Sequence, residues 1–347
     1  MENLVIRSPD DWHCHLRDGD FLQRTVVDQA TQFSRSLIMP NLQPPVETLV
    51  EARAYRQFIL EHLPDSLEFD PLMTLYLTPR TDPLQLMKAA QSASVKAVKL
   101  YPKGATTHSD FGVNNFEAMY PCLDVMQQHG LILCVHGEVT DHTVDIFDRE
   151  KVFLEQSLEP IRRQFPALKI VLEHITTADS VEFVQCYRDN TAATITPHHL
   201  LINRNDLLVG GIKPHYYCLP VVKRRRHQEA LIQAATSGES CFFLGTDSAP
   251  HVRSKKESSC GCAGIYSAHA AIELYAEAFE KAGKLPFLED FASRFGAEFY
   301  GLPLNTNTIT LRRQAWTVPE VLSFGDEVLV PFFAGKTLQW KLDHEAK

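Results

Sequence analysis

Leu131-Ile132-Leu133-Cys134-Val135, followed at once by His136-Gly137-Glu138, shows the pattern that decides the fold of this chain. A continuous apolar run of this length is typical of a strand buried on both faces, as in a parallel sheet. Here the run ends in polar side chains of types that bind metals. The segment around His13 is another such strand. Six further runs occur at residues 36–39, 72–76, 95–100, 169–172, 193–196 and 241–244.

Helix-like segments with apolar residues at intervals of three and four separate these runs. They lie at residues 47–63, 115–129, 148–165, 178–189 and 221–236. About eight strand-then-helix units predict an α/β fold, a (β/α)8 barrel of the TIM type. Because no linker or composition break divides the sequence, we expect one catalytic domain over residues 1–347. From about residue 304 the pattern changes to short strand-like pieces, which predicts a C-terminal extension, residues 304–347, packed on the barrel.

Composition narrows the function classes. The 347 residues are 44% hydrophobic and 22% charged, as in ordinary globular proteins. No apolar stretch approaches the roughly 20 residues that cross a bilayer, and the first residues do not resemble a secretory signal. Eight scattered cysteines indicate reduced thiols, so we expect a cytoplasmic protein that does not bind membranes. A net charge of -9 argues against nucleic-acid binding but permits a small anionic ligand.

His13 and His15 lie two residues apart near the start of the chain, with Arg17 two residues further on. In an extended strand such side chains point to the same side, so both imidazoles can bind one metal ion. An isolated His-x-His pair is structural about as often as it binds metal. The interpretation therefore depends on the residue types at the ends of the other predicted strands.

Further ligand-type residues stand at the ends of later runs, where barrel enzymes build their active sites. His136 ends the fifth, Glu173-His174 the sixth and Asp247 follows the eighth. Four histidines and a carboxylate exceed what one catalytic zinc needs, which indicates two metals. A metal pair requires a bridging anion. Lys99 at the end of the fourth run could supply it as a carbamate, although its position alone favours an ordinary charged residue.

The order His13-x-His15, Lys99, His136, His174, Asp247 resembles the amidohydrolase superfamily. The surrounding phrases are similar to those of the dihydroorotase family, in its shorter, bacterial-type class. These phrases are residues 11–17, 39–46, 98–102, 196–200, 213–215, 218–220 and 245–251. The similarity extends to about residue 300.

This resemblance implies a zinc-dependent enzyme that reversibly cyclises N-carbamoyl-L-aspartate to L-dihydroorotate in de novo pyrimidine (UMP) biosynthesis. It implies two Zn²⁺ per subunit and a homodimer. A metal-bridging hydroxide would attack the ring amide, with Asp247 as general base and then acid. The implied ligands are His13, His15 and Asp247 for one ion, His136 and His174 for the other, and carboxylated Lys99 as the bridge.

The same resemblance implies the contacts of a small-molecule substrate. Its carboxylate would be bound by Arg17, Asn41 and His251, and the ring edges by main-chain groups near Leu219 and Ala263. Residues 103–113 would form a lid whose Thr106 and Thr107 reach the substrate. Without the resemblance, these residues are typical of surface, turn and loop positions. His198, His199 and His215 also lie in matching phrases and are given no metal role.

Three alternatives remain open at this point. Another cyclic-amide hydrolase, of the hydantoinase or allantoinase type, would share the ligands but would not need the carboxylate-binding set. A non-catalytic scaffold would be expected to have lost ligands, whereas this set is complete. A metal-storage module would have no use for Asp247 and an anion pocket.

Overall fold

The computed structural model describes residues 3–343. Its main sheet has eight parallel strands in sequence order, and helices alternate with them, which confirms the predicted (β/α)8 barrel. The strands are β2 (Asp10–Cys14), β3 (Arg35–Ile38), β4 (Asp70–Leu77), β5 (Val95–Leu100), β6 (Ile132–His136), β7 (Ile170–Glu173), β8 (Thr191–Ile195) and β9 (Phe242–Leu244). The Asp247 amide donates to the His13 carbonyl (2.8 Å) and the His15 amide to the Ser248 carbonyl (3.0 Å), which joins the last strand to the first.

Alternation along each strand sorts its side chains between two apolar layers. In β5, Val98 and Leu100 face outward to the helices, whereas Ala97 belongs to the cluster that fills the barrel. Lys99 has the parity of Ala97 and therefore points into the barrel. The same parity directs His136 inward from β6, and register pairs it with Glu173 of β7. Local strand geometry thus brings polar residues to one end of an apolar core.

The opposite end of the barrel, where the strands begin, is closed by aromatic packing. Tyr300 stacks on Trp12 with ring centroids 4.3 Å apart, and Phe295 belongs to the same cluster. Beside this plug the Arg35 guanidinium binds both oxygens of Asp10. The plug includes helix α13 (Phe295–Phe299), so the chain seals this end before it leaves the barrel.

Helices lie between successive barrel strands and after the last one. They are α1 (Leu22–Gln32), α2 (Leu49–Glu61), α3 (Pro83–Ala90), α4 (Tyr120–His129), α5 (Arg149–Phe153), α6 (Glu159–Gln164), α7 (Ala178–Cys186), α8 (Pro197–Leu201), α9 (Arg204–Leu208), α10 (Arg225–Ala235), α11 (Arg253–Lys256) and α12 (Ala271–Lys281). Residues 148–165 do not form one regular helix, because a π-helical turn, Leu154–Leu158, separates α5 from α6. Pro160 in the first turn of α6 lacks an amide hydrogen, which breaks the regular ladder. Within residues 3–343 no helix combines the length and hydrophobicity needed to cross a membrane.

A second, three-stranded sheet lies outside the barrel. Strand β1 (Asn3–Arg7) pairs antiparallel with β10 (Thr308–Thr317), which pairs with β13 (Thr337–Leu342), and β11 (Leu322–Phe324) forms a hairpin with β12 (Glu327–Leu329). Short strands were expected after about residue 304, and β10 to β13 lie there, whereas the sequence pattern did not predict β1. Its apolar run, Leu4 to Ile6, has only three residues, which is too short to predict a strand by itself. The single-domain boundary at 1–347, with its extension from about 304, stays a prediction.

Candidate active site

The ends of the barrel strands line a partly open cavity of about 330 Å³, a volume that includes space open to solvent. Most of the residues singled out from the sequence line it. These are His13, His15, Arg17, Asn41, Thr106, Thr107, His136, His174, Leu219, Asp247 and Ala263, joined by Tyr101, Ala249 and Gly264. Two candidates do not line it. Lys99 is fully buried in the barrel, and His251 lies behind Arg17, with its Nε2 3.2 Å from the guanidinium.

One compact ligand group has the composition expected from the sequence. His13 Nε2 and His15 Nε2 are 3.3 Å apart, and Asp247 Oδ1 lies 3.3 Å from the first and 3.0 Å from the second. The other nitrogen of each ring also lies close to an oxygen: Glu173 Oε2 is 3.0 Å from His13 Nδ1, without hydrogen-bond alignment, and Asn41 Oδ1 is hydrogen-bonded to His15 Nδ1 at 2.8 Å. Such partners fix ring orientation and aim the opposite nitrogen at a metal.

Simple alternation does not explain this convergence. Strand β2 ends at Cys14, so His15 lies just beyond it, and the pairing of β2 with β3 is irregular between Asp11 and Cys14. Trp12 faces the barrel interior while Cys14 packs outward, so the irregularity turns two successive residues, Trp12 and His13, inward. The sequence correctly predicted that the two histidines meet, but a bulge rather than a regular strand brings them together.

Left-handed backbone is concentrated at this end of the barrel. Five non-glycine residues among 3–343 have positive φ, and Arg17 (66°), His174 (43°) and Asp247 (46°) line the cavity. His108 (55°) lies in the lid segment and Phe333 (64°) lies elsewhere. At His174 the strained turn interrupts the alternation, so that Glu173 and His174 both face the site. Strain of this kind is retained mainly where function requires it.

The second expected ligand pair is assembled differently from the first. The rings of His136 and His174 lie 4.9 Å apart, and the ring of His13 lies 5.0 Å from that of His174. His136 Nε2, however, is 3.0 Å from Glu138 Oε2. The ligand atoms of His13, Glu173 and His174 lie within 4.8 Å of one another, so Glu173 occupies this site without having been given a role from the sequence.

Lys99 is buried in direct contact with the Glu173 carboxylate, without hydrogen-bond alignment. Its ammonium lies 4.9 Å from the centroid of the Tyr101 ring. Burial lowers the pKa of Lys99 to about 7. Near neutral pH, a substantial fraction of this side chain is therefore a neutral amine, the form that reacts with carbon dioxide.

The protonation states suit metal binding. Burial lowers the pKa of His13 to about 3, and it also lowers the pKa values of His15 and His174. Burial raises the pKa of Asp247, but the neighbouring His13 and hydrogen bonds from His13 and His15 outweigh it and hold the pKa well below its usual value. Neutral imidazoles beside an ionised carboxylate form a donor set that fits zinc.

The Arg17 guanidinium is placed to bind an anion. Its Nε donates to the Pro250 carbonyl at 3.4 Å, and its Nη2 lies 3.2 Å from His251 Nε2. Its Nη1 is buried and has no hydrogen-bond partner among the described residues. A buried, unused donor beside a polar cavity is what a ligand carboxylate requires.

Residues 103–113 fold over the cavity. Asn41 Nδ2 donates to the Thr107 carbonyl at 3.1 Å, and Thr107 Oγ1 donates to the Ala263 carbonyl at 3.4 Å. The base of the segment is pinned by Lys103 N, which donates to the Val113 carbonyl at 3.0 Å. Asn41 therefore orients His15 through its oxygen and holds the covering segment through its nitrogen.

Sequence reasoning missed two buried carboxylates. Glu173 contacts both His13 and Lys99, and its signal was its place directly before His174 at a strand end. Asp11 accepts hydrogen bonds from the Thr246 amide (2.8 Å) and hydroxyl (2.6 Å), and burial raises its pKa to about 6. Asp11 thus joins the strand of His13 to the loop of Asp247, and an acidic residue two before a candidate ligand was its signal.

A third group with metal-type side chains comprises His198, His199 and Cys218. Both ring nitrogens of His199 are already engaged, by Thr196 Oγ1 at 2.8 Å and the Pro220 carbonyl at 3.0 Å. His215 pairs with Glu257 at 2.9 Å. These contacts give His199 and His215 structural partners.

Comparison with known proteins agrees with this fold. The profile of the amidohydrolase family matches residues 6–338. The chain is 59% identical over 341 residues to a dihydroorotase of Teredinibacter turnerae and 57% identical over 342 residues to one of Acinetobacter baylyi, covering 98% of this chain and 99% of each relative. The crystal structure of Campylobacter jejuni dihydroorotase, at 36% identity, superposes with a TM-score of 0.91 over 99% of this chain and 98% of that one.

The chain therefore belongs to the amidohydrolase family and, within it, to the dihydroorotases. It is an enzyme, a hydrolase that acts on a cyclic amide.

Proposed function

We propose that this enzyme cyclises N-carbamoyl-L-aspartate to L-dihydroorotate, reversibly, in de novo pyrimidine biosynthesis. One observation carries the proposal: the ligand group of His13, His15 and Asp247 shares a cavity with a buried Arg17 whose Nη1 has no hydrogen-bond partner among residues 3–343. A metal site beside an anion site fits a cyclic amide that also carries a carboxylate. The near-full-length identity to dihydroorotases supports the same substrate.

Two Zn²⁺ ions are the proposed cofactors. His13, His15 and Asp247 would hold one, and His136 and His174 the other, with carboxylated Lys99 as the shared ligand. The lowered pKa of buried Lys99 supports this modification, because it makes the amine nucleophilic near neutral pH. When bound, the ions would lower the pKa of a water molecule and polarise the amide carbonyl.

Asp247 is the proposed general base and acid. Its carboxylate is ionised, lines the cavity and is held by two imidazoles. In the hydrolytic direction it takes a proton from the water that attacks the ring carbonyl and gives this proton to the departing ring nitrogen. In cyclisation the same proton moves the opposite way.

The remaining residues bind and enclose the substrate. Arg17 Nη1 is the free donor for the substrate carboxylate, with His251 behind it and Asn41 at the edge of the cavity. Main-chain groups at Leu219 and Ala263, which line the cavity, would contact the ring. The Thr107 segment, tied to Asn41 and Ala263, excludes bulk water while the ring opens or closes.

The decisive experiment is turnover of L-dihydroorotate by zinc-loaded protein prepared with bicarbonate, followed by ring absorbance. Lys99→Ala should abolish turnover and reduce bound zinc. Lys96→Ala is the matched control, because Lys96 lies on the same strand with the opposite parity and should leave both unchanged. Wild-type protein that binds two zinc ions but opens hydantoin or allantoin instead of dihydroorotate would overturn the proposed substrate.

The family also implies a homodimer in the cytoplasm, and we include both in the proposal. All eight cysteines are unpaired, which suits a reducing compartment. Light scattering of the purified chain would test the dimer, and a mass of one 39.3 kDa subunit would reject it.

A further inference from the structure

Lys256, at the end of α11, is a buried cation with an unusual set of partners. Its side chain is almost fully buried, and its Nζ donates to three backbone carbonyls: Tyr217 (2.7 Å), Cys262 (2.8 Å) and Gly264 (2.7 Å). Among residues 3–343 no carboxylate forms an ion pair with it. Burial lowers its pKa to about 8. A buried charge without a counter-ion is costly, so its retention requires a reason.

The three carbonyls belong to the two segments that carry the main-chain groups of the cavity. Tyr217 lies two residues before Leu219, while Cys262 and Gly264 flank Ala263 on both sides. The Gly264 amide also donates to the Tyr217 carbonyl at 3.0 Å, so the segments lie side by side. An ammonium with three donors fixes the directions of these peptide planes, and therefore of the Ala263 groups between them.

Close packing around Gly264 shows how little freedom this arrangement has. Gly264 has φ of 150°, and a Cβ there would lie 2.8 Å from a ring atom of His251 and 2.9 Å from the Ala249 side chain. A shift of the Ala263–Gly264 peptide would therefore displace His251, which contacts Arg17. The same shift would move the Ala263 carbonyl, which accepts the hydrogen bond from Thr107.

We propose that Lys256 is a positioning residue for substrate binding: its ammonium holds the Leu219 and Ala263 main chains, His251 and the Thr107 contact in the geometry that receives the substrate. The proposal rests on the proposed function, because it takes these groups as the substrate contacts. The positive charge of Lys256 also favours substrate binding. Burial is the main cause of the lowered pKa of His251, and the charges of Arg17 and Lys256 lower it further; the charge of Lys256 also adds attraction for an anionic ligand.

Arg162 provides a matched control in this chain. It is also a buried cation whose guanidinium donates to three backbone carbonyls, those of Phe165, Leu168 and Asn190. These carbonyls lie at or before the beginnings of β7 and β8, at the end of the barrel away from the cavity. Removing either cation costs stability, but only Lys256 touches the segments that line the cavity.

The test compares zinc-loaded wild-type protein with Lys256→Met and Arg162→Met in L-dihydroorotate turnover, zinc content and thermal unfolding. Lys256→Met should raise KM about tenfold or more, with a smaller effect on kcat and unchanged zinc. Arg162→Met should lower the unfolding temperature and leave KM unchanged. A wild-type KM in folded Lys256→Met, or an equal rise in KM in Arg162→Met, would overturn the proposal.

Lys256→Arg keeps the test decisive if the methionine variant fails to fold. A planar guanidinium retains the charge but cannot serve three carbonyls placed around a tetrahedral nitrogen, so KM should still rise. A wild-type KM in this variant would reject the positioning role. Absence of dihydroorotate turnover by the wild-type protein would instead reject the proposed function. Failure of the positioning role and failure of the proposed function are therefore distinguishable.

Discussion

The two ends of the barrel treat buried polar groups in opposite ways. Where the strands begin, Asp10 and Arg35 bind each other through two hydrogen bonds, and aromatic rings seal the core. Where the strands end, Lys99 Nζ, both oxygens of Glu173 and Arg17 Nη1 are buried without hydrogen-bond partners in the described chain. Strand β2 connects the two situations: Asp10 lies at the end where polar groups are paired, and His13 lies at the end where they are not.

This difference shows which end the sequence has optimised for stability. Satisfied polar groups and close packing stabilise a fold, whereas buried polar groups without partners cost stability and are available to bind a ligand. The left-handed residues lining the cavity add to that cost. Substitutions at the strand ends should therefore affect activity more than stability, and substitutions at the strand beginnings should do the reverse.

The largest expected effect is that of Asp247→Asn. It removes the proposed base and one ligand charge, so kcat for L-dihydroorotate should fall by about 10³ or more. Asparagine tolerates the left-handed backbone at this position, so the unfolding temperature should change little. Steady-state kinetics and calorimetry measure the two quantities. Turnover within tenfold of wild type would contradict the assigned role.

Asp10→Asn tests the opposite end. It removes the negative charge and one of the two oxygens that bind the buried Arg35, which should lower the free energy of unfolding by about 3 kcal/mol. Both kcat and KM should be unchanged at temperatures where the variant is folded. Denaturant titration together with turnover checks both statements, and a large loss of kcat without loss of stability would break the comparison.

Much of this contrast was predictable from the sequence. The strand ends could be located because parallel strands buried on both faces appear as continuous apolar runs, and the side chains after those runs had to meet at one end of a barrel. This reasoning placed His136, His174 and Asp247 correctly at the cavity. It needed no knowledge of tertiary contacts.

The features that escaped prediction depend on contacts that are distant in sequence. The place of Glu173 in the site could not be predicted from the sequence, because it depends on the turn at His174, which directs both residues inward. Lys256 has the sequence context of an ordinary lysine in a charged segment, and its three carbonyl partners lie up to 39 residues away. Strand β1 has only three consecutive apolar residues, so its pairing with β10 is what defines it.

Glu273 on α12 sharpens the comparison, because it has a buried, unpartnered oxygen outside the site. Burial raises its pKa from 4.5 to about 7. Between these values the folded chain holds a proton that the unfolded chain releases, so this group makes the free energy of unfolding fall as pH rises. Glu273→Gln should therefore stabilise the protein by about 2 kcal/mol at pH 8, and less at pH 5. Unchanged turnover would show that a lone unsatisfied atom does not define a site.

The smallest expected effect concerns the segment that covers the cavity. Thr107→Ala removes the hydroxyl that donates to Ala263 and should lower turnover about tenfold, because a covering segment held less firmly admits water and releases the substrate contacts. Zinc content should not change. Thr143→Ala is the matched control, since Thr143 is an exposed loop threonine whose hydroxyl donates to Asp141. Wild-type turnover in both variants would show that the covering segment has only a structural role. A loss of turnover confined to Thr107→Ala would show that this segment contributes to catalysis, although it is not part of the barrel.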